Sequence, residues 1–237
     1  MKTKRIALII PAYNEELNIE KLVHSIHQIV CPEFAQFYPI VINDGSKDNT
    51  GEIIKRIDCI DLHLPINLGI GAAVQTGLMY AYRNDFDYAI QVDGDGQHPV
   101  SCIVDFYLQM EKENLDVLIG SRYIENKGFQ STTTRRIGIK YFQWLNHLIL
   151  GVKVTDSTSG LRMFNRKTIA ILSQSYPDDY PEPEAIVIFK RNKLSFKERA
   201  VEMNERNGGT SSITFSHSFY YMIKVTLAII FASIKKK

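Results

Sequence analysis

Cysteine is scarce in this chain: among 237 residues only Cys31, Cys59 and Cys102 carry thiols. Three widely spaced thiols with no C-x-x-C or Cys/His spacing exclude a disulfide framework and a structural zinc site, and they read as reduced core residues. A dominant charge is also missing. With 28 Lys+Arg against 26 Asp+Glu the formal net charge is +2, so no basic field points to nucleic acid, although local arginine clusters can still hold phosphate. The N-terminus has no long apolar run. Lys2, Lys4 and Arg5 lead into apolar residues that reach only Ile10 before Pro11, too short for a secretory signal, and a cytoplasmic location is expected. No linker-like stretch divides the chain, which predicts a single catalytic domain.

What is present is a rhythm of buried strands, polar turns and helices. Ile6 to Ile10 is an unbroken apolar run, the pattern of a strand covered on both faces, and Tyr38 to Ile42 repeats it. Further strands are predicted at 57–64, 88–92 and 117–120. Helical spacing appears at Leu17, Ile19, Leu22, Val23 and Ile26, then over 71–82, 100–112 and 136–150. Strands alternating with helices imply right-handed crossovers and an α/β fold with a mostly parallel, Rossmann-like central sheet flanked by helices.

In such a sheet ligands gather at the carboxyl ends of the strands, and here those ends are small and polar. They read Pro11-Ala12-Tyr13-Asn14-Glu15-Glu16, Asn43-Asp44-Gly45-Ser46, Asn67-Leu68-Gly69, Asp93-Gly94-Asp95-Gly96-Gln97-His98 and Gly120-Ser121-Arg122-Tyr123. Asp93 and Asp95, one residue apart with Gly94 and Gly96 permitting a sharp turn, suit one hard cation, Mg²⁺ or Mn²⁺, that shares its remaining coordination with a diphosphate. An isolated D-x-D is more often an acidic turn, so the surroundings decide. Tyr13 can stack on a base and Glu15 accept from it, and Asp44 can accept from base or ribose; each also suits a turn or a helix cap. Pro11-Ala12-Tyr13 stands where a nucleotidyltransferase would place a Gly-rich triphosphate loop, which argues against that class.

These segments resemble family-2 glycosyltransferases of GT-A fold, in particular the dolichol-phosphate-mannose-synthase-like, polyprenyl-phosphate branch. The resemblance rests on PAYNEE (11–16), NDGSKDNT (43–50), NLGIGAAVQTG (67–77), QVDGDGQHP (91–99), GSRY (120–123) and DSTSGLRMFNR (156–166), in the family's order. It departs at Asn43, where an Asp is commoner, and at Ser212, near where a Lys often stands. The resemblance implies that Pro11, Ala12, Tyr13, Glu15, Asp44 and Gly94 meet a UDP- or GDP-sugar, that Asp93, Asp95 and Gln97 hold the metal and diphosphate, and that Arg122 lies beside the sugar or the acceptor phosphate. It also implies an inverting displacement, with residues 1–123 as the donor half and 124–215 as the acceptor half.

Arg122, Arg135, Arg136, Arg162 and Arg206 offer planar forks that match phosphate oxygens, and a surface ion pair is the plain alternative for each. Arg122 and Arg206 stand out because they sit in segments that match the polyprenyl-phosphate branch. Glu182 and Glu184 open a helical stretch from Pro181 to about Arg191, where a carboxylate suits the positive helix end. The resemblance turns one of them toward the active site, and Glu184 is the one assigned here, with Asp95 and Arg122, to catalysis. A phosphate acceptor is already ionised at neutral pH and needs no general base, whereas a sugar hydroxyl would need one, from Glu182, Glu184 or Asp156. A binding module without turnover remains a third reading. From Phe219 to Ile234 the chain is apolar apart from Lys224 and ends in three lysines. As a helix it would reach ~24 Å, short of the ~30 Å hydrocarbon core, so residues 216–237 are expected to dock at the face of an anionic membrane rather than span it. Packing on the domain or within a homo-oligomer is the alternative.

Overall fold

The structure is a computed structural model that describes residues 3–125, 133–178 and 181–203, with Lys224, Thr226, Leu227 and Ile230; the side chains of residues 133–139 and of Leu150 are not described. Arg206, Ser212 and most of the expected C-terminal helix therefore lie outside the described residues, and Arg135 and Arg136 are placed by backbone alone.

The elements run β1 (Lys4–Ala12), α1 (Ile19–His27), β2 (Ala35–Asn43), α2 (Thr50–Ile54), β3 (Ile60–His63), α3 (Ile70–Arg83), β4 (Tyr88–Gln91), α4 (Cys102–Glu113), β5 (Val117–Ser121), α5 (Thr133–Leu150), β6 (Arg162–Asn165), α6 (Arg166–Leu172), α7 (Pro181–Arg191) and β7 (Phe196–Ala200). They form one seven-stranded sheet of order β3-β2-β1-β4-β6-β5-β7. The pairs β1/β2, β1/β4, β2/β3 and β5/β7 are parallel. β6 is antiparallel to both β4 and β5, wedged between them with Arg162 opposite Gln91 and Ile119.

The expected mostly parallel α/β sheet is therefore present. Two strands escaped the sequence pattern. β6 is short and hidden in a polar motif, and β7 (FKERA) is an edge strand with three consecutive charged residues and no apolar alternation. β3 is shorter than expected because Cys59 N donates to Ile57 O at 2.9 Å, a turn that takes residues 57–59 out of the strand.

The continuous apolar run of β1 follows from burial on both faces. Ala7 and Ile9 join the layer built by α3, α5, α6 and α7 with Leu78, Phe142, Phe164 and Phe189. Ile6, Leu8 and Ile10 join the opposite layer with Leu22 and Ile26 of α1 and Phe106 and Met110 of α4. Ile6, Leu8, Ile9 and Ile10 are wholly buried, each contributing roughly 1.5–3 kcal/mol of transfer free energy, and this anchors the strand from which the site is hung. With β1, β2, β4 and β5 all pointing one way, Ala12, Asn43, Gln91 and Ser121 end on the same edge of the sheet.

Candidate active site

At that edge the loops after β1 and β2 are tied together by side-chain to backbone bonds. Asn14 N donates to Ser46 Oγ at 3.0 Å, Lys47 N to Asn14 Oδ1 at 2.8 Å, and Glu15 N to Thr50 Oγ1 at 2.8 Å. Glu15 Oε2 accepts from Asn18 Nδ2 at 2.8 Å, while Tyr13 stands 40% exposed at the rim. Asp44, buried, accepts from Leu68 N at 2.7 Å and Gly69 N at 2.9 Å, one bond to each oxygen. Its first task is thus to clamp the loop before α3; each oxygen keeps a second lone pair for a ligand. Gly45 makes this approach possible. At φ +64°, a Cβ there would lie 2.5 Å from the Ile66 carbonyl carbon. Asn43, in the place of the commoner Asp, accepts from Ser46 N at 3.0 Å and sets its amide 3.1 Å from His63 Nδ1, so its side chain serves the turn.

The acidic turn begins where β4 leaves the sheet. Asp93 N donates to His98 Nδ1 at 2.9 Å, and Gln97 N to Asp95 Oδ1 at 3.0 Å, so the two bonds shape the loop from within. His98 is buried, and burial pushes its pKa down to about 4 against the opposing pull of Asp95. The ring is therefore neutral near pH 7, and its 3.6 Å approach to Asp93 Oδ2 is a polar contact rather than an ion pair. Gly160 seals the other side: a Cβ there would lie 2.7 Å from Asp93 Oδ1. Among the described residues no group of three His, Cys, Asp or Glu side chains could hold a metal ion. Two carboxylates with Gln97 fit a hard ion that takes its remaining oxygens from diphosphate and water, which is the usual habit of Mg²⁺.

Arg122 closes the site from β5. Its Nε lies 2.6 Å from Asp156 Oδ2 and its Nη2 2.8 Å from Asp156 Oδ1 and 2.9 Å from Thr158 Oγ1. Burial works against its charge, but Asp156 outweighs burial and holds the guanidinium pKa above its ordinary value; Asp93 adds to this. Asp156 is itself wholly buried and is held from behind by Glu198 of β7, which accepts from Thr155 N at 2.7 Å, Thr155 Oγ1 at 2.9 Å and Asp156 N at 2.8 Å. Burial pushes the Glu198 carboxyl up, with the hydrogen bonds opposing it.

Beneath Asp93 lies a second polar group. Gln91 Nε2 donates to Glu182 Oε1 at 3.3 Å, and the buried Tyr176 hydroxyl donates to Gln91 Oε1 at 3.2 Å. Arg162, fully buried, donates from Nε to Ser159 O and from Nη2 to Ser157 O, both at 2.9 Å. It is therefore an internal cation and not a surface fork for phosphate. Burial pushes the Glu182 carboxyl up; Arg162 pulls it down, and Asp93 adds to the rise.

The structure thus gathers Pro11, Ala12, Tyr13, Glu15, Asp44, Asp93, Gly94, Asp95, Gln97 and Arg122 at one edge. Glu184 is half-buried in the first turn of α7, and Glu182 in the same turn accepts from Gln91 at the end of β4. Gln91, Tyr176 and Glu198 were not anticipated. Gln91 carried a signal, a polar residue closing an apolar strand; Glu198 and Tyr176 carried none, because tertiary packing alone brings them in.

Such a sheet, with a nucleotide-type loop pair and an acidic turn at its carboxyl edge, defines a GT-A glycosyltransferase. The chain belongs to Glycosyl transferase family 2, whose profile matches residues 7–172. It is 33% identical over 218 residues to the UDP-N-acetylglucosamine–dolichyl-phosphate N-acetylglucosaminyltransferase of Methanococcus voltae, covering 84% of this chain and 85% of that one. It is 28% identical over 233 residues to the polyprenol monophosphomannose synthase of Mycolicibacterium smegmatis, covering 94% and 86%. The fold matches glucosyl-3-phosphoglycerate synthase from Mycobacterium tuberculosis, solved with Mn²⁺, UDP and glucosyl-3-phosphoglycerate, at a TM-score of 0.71 and 17% identity, covering 100% of this chain and 81% of that one.

Proposed function

We propose that this enzyme transfers a sugar, with inversion, from a UDP- or GDP-sugar to a polyprenyl phosphate at the cytoplasmic face of a membrane. The observation that carries the reading is the ionised, clamped Arg122 at the same sheet edge as the Asp93-Gly94-Asp95 turn, close enough for the charge of Asp93 to act on it. One side suits a metal-bound nucleoside diphosphate and the other an anionic acceptor. The names of the two relatives, one a dolichyl-phosphate N-acetylglucosaminyltransferase and the other a polyprenol monophosphomannose synthase, support the acceptor class.

In this reading residues 1–123 form the donor half and 124–215 the acceptor half. Pro11, Ala12, Tyr13, Glu15, Asp44 and Gly94 receive the nucleotide. Asp93, Asp95 and Gln97 would hold Mg²⁺ or Mn²⁺, which when bound supplies positive charge to the departing nucleoside diphosphate. Arg122, with Arg135 and Arg206, receives the acceptor phosphate, whose own negative oxygen is the nucleophile; alignment rather than proton removal is then the protein's task. Glu184 and Glu182 border that space from α7.

Membrane contact is supported by α5. Trp144 and Leu148, one turn apart, are 57% and 65% exposed beside the exposed Lys140 and His147, the mix of an interfacial helix. No helix among the described residues is long and apolar enough to cross a membrane.

The test is incubation of the full chain with Mg²⁺ or Mn²⁺, a panel of UDP- and GDP-sugars and a short polyprenyl phosphate, followed by mass spectrometry. A glycosyl-phosphate-polyprenol product is expected, lost in Arg122→Ala. Unchanged turnover in Arg122→Ala would remove the phosphate assignment. Transfer only to glycan hydroxyls would replace the acceptor.

A further inference from the structure

One carboxylate beside the acidic turn has no task in a reaction whose acceptor is already ionised. Glu182 is half-buried, and the charge of Asp93 reaches it. Its orientation is set from inside the protein. The Tyr176 hydroxyl donates to Gln91 Oε1, which leaves the Gln91 amide N–H facing outward, and that N–H donates to Glu182. Glu182 is thus the outer, accepting end of a chain that starts in the core. Behind it Arg162 supplies a buried positive charge, with Nη1 making no protein hydrogen bond and Phe189 lying 5.9 Å from the guanidinium. Burial raises the Glu182 carboxyl and lowers the Arg162 guanidinium, and the attraction between the two opposes both shifts.

The chemistry of the neighbours decides what such a carboxylate can receive. Diphosphate oxygens are acceptors, so they do not pair with a carboxyl oxygen that is itself the accepting end of the chain from Tyr176. Neutral hydroxyl donors remain. Of the donor's hydroxyl groups, the ribose pair goes with the base toward Tyr13, Glu15 and Asp44 in the reading above, and those of the sugar beyond a diphosphate at Asp93 and Asp95 are left for this place.

We propose that Glu182 binds hydroxyl groups of the transferred sugar and so discriminates among donor sugars, with Gln91, Tyr176 and Arg162 as positioning residues. The ligand class is a pyranose with free hydroxyls attached to a nucleoside diphosphate. The proposal rests on the glycosyl-transfer reading above, and on its phosphate acceptor for setting aside a role as base.

Calorimetric titration of the full chain with Mn²⁺ and no acceptor separates sugar from nucleotide recognition. UDP and GDP are compared with their hexose conjugates on wild type, Glu182→Ala, Glu182→Gln and Tyr176→Phe. Glu182→Ala should leave the nucleoside diphosphate within about twofold, which also shows that the site is folded, and weaken the sugar conjugate about tenfold or more, as expected when a site built to bond hydroxyls loses its acceptor. Tyr176→Phe, which frees Gln91 to turn, should weaken the conjugate by a smaller factor with the diphosphate unchanged. Equal weakening of both ligands in Glu182→Ala would overturn the proposal. So would intact conjugate binding with transfer abolished and the acidic limb of its pH profile removed, the behaviour of a general base. Because no acceptor is present, a failed search for polyprenyl-phosphate product and a failed sugar-binding test are separate results.

Discussion

Replacing Arg122 by alanine should damage stability and activity in separable ways. The substitution removes both contacts between its side chain and Asp156, at 2.6 and 2.8 Å, and leaves a wholly buried carboxylate without its countercharge. Breaking one partner out of a buried pair costs about 3–5 kcal/mol, and at this chain length each kcal/mol lowers Tm by about 2–4 °C, so a fall of about 6–20 °C is expected. Removing both charges in Arg122→Ala/Asp156→Ala relieves the stranded carboxylate. The double variant should therefore be more stable than additivity predicts, with a coupling energy on the order of 1–3 kcal/mol in denaturant unfolding. Activity should not recover with it, since the double variant has no guanidinium at the acceptor side. A Tm fall below about 2 °C in Arg122→Ala, or additive single changes, would refute the clamp. Recovery of transfer in the double variant would refute the catalytic part.

Other expectations follow from single contacts. Gly160→Ala places a Cβ 2.7 Å from Asp93 Oδ1, the mobile end of a side chain, so Tm should change little while Mn²⁺ activation weakens roughly 10–100-fold; unaltered metal dependence would exclude this contact as a determinant of Asp93. His98, lowered from 6.5 to about 4, is neutral in the folded protein and takes a proton more readily when unfolded. Stability is therefore lost as pH falls from about 6.5 to 4, by roughly 3 kcal/mol from this group. In metal-free protein His98→Asn should flatten that slope, and an unchanged slope would assign the loss to other groups. Trp144→Ser/Leu148→Ser should reduce sedimentation with vesicles containing anionic lipid while leaving nucleotide binding unchanged; full vesicle binding would move the contact to other residues.

The sheet was legible because Ile6–Ile10 and Tyr38–Ile42 are continuous apolar runs that only a doubly covered strand can hide. Their polar ends announced the site for the same reason, since small and acidic residues stop the strand where a ligand can enter. The antiparallel β6 was not legible. Its four residues carry a buried arginine, and only the antiparallel ladder with β4, from Tyr88 opposite Asn165 to Gln91 opposite Arg162, shows that the chain reverses there. Asp44 was read by residue type as a ligand acceptor, yet its two oxygens are first held by backbone N–H groups of the loop before α3, contacts that no spacing rule contains. Glu182 and Glu184 are two acids in one helix turn, and the sequence assigned Glu184 to catalysis by resemblance alone; the bond from Gln91 to Glu182 is a contact that no spacing rule contains. Glu198 is recognisable only once β7 is paired with β5 and brought beneath residues 155–156.

The central claim is that an acidic turn and a clamped arginine bring a nucleotide sugar and a lipid phosphate together. Mass spectrometry of the polyprenyl-phosphate reaction tests it most directly. With wild type and Mg²⁺ or Mn²⁺, a product heavier than the acceptor by one glycosyl residue is predicted for at least one donor, abolished by EDTA and by Asp95→Asn. Metal-dependent donor binding with no glycosylated polyprenyl phosphate from any donor would contradict it.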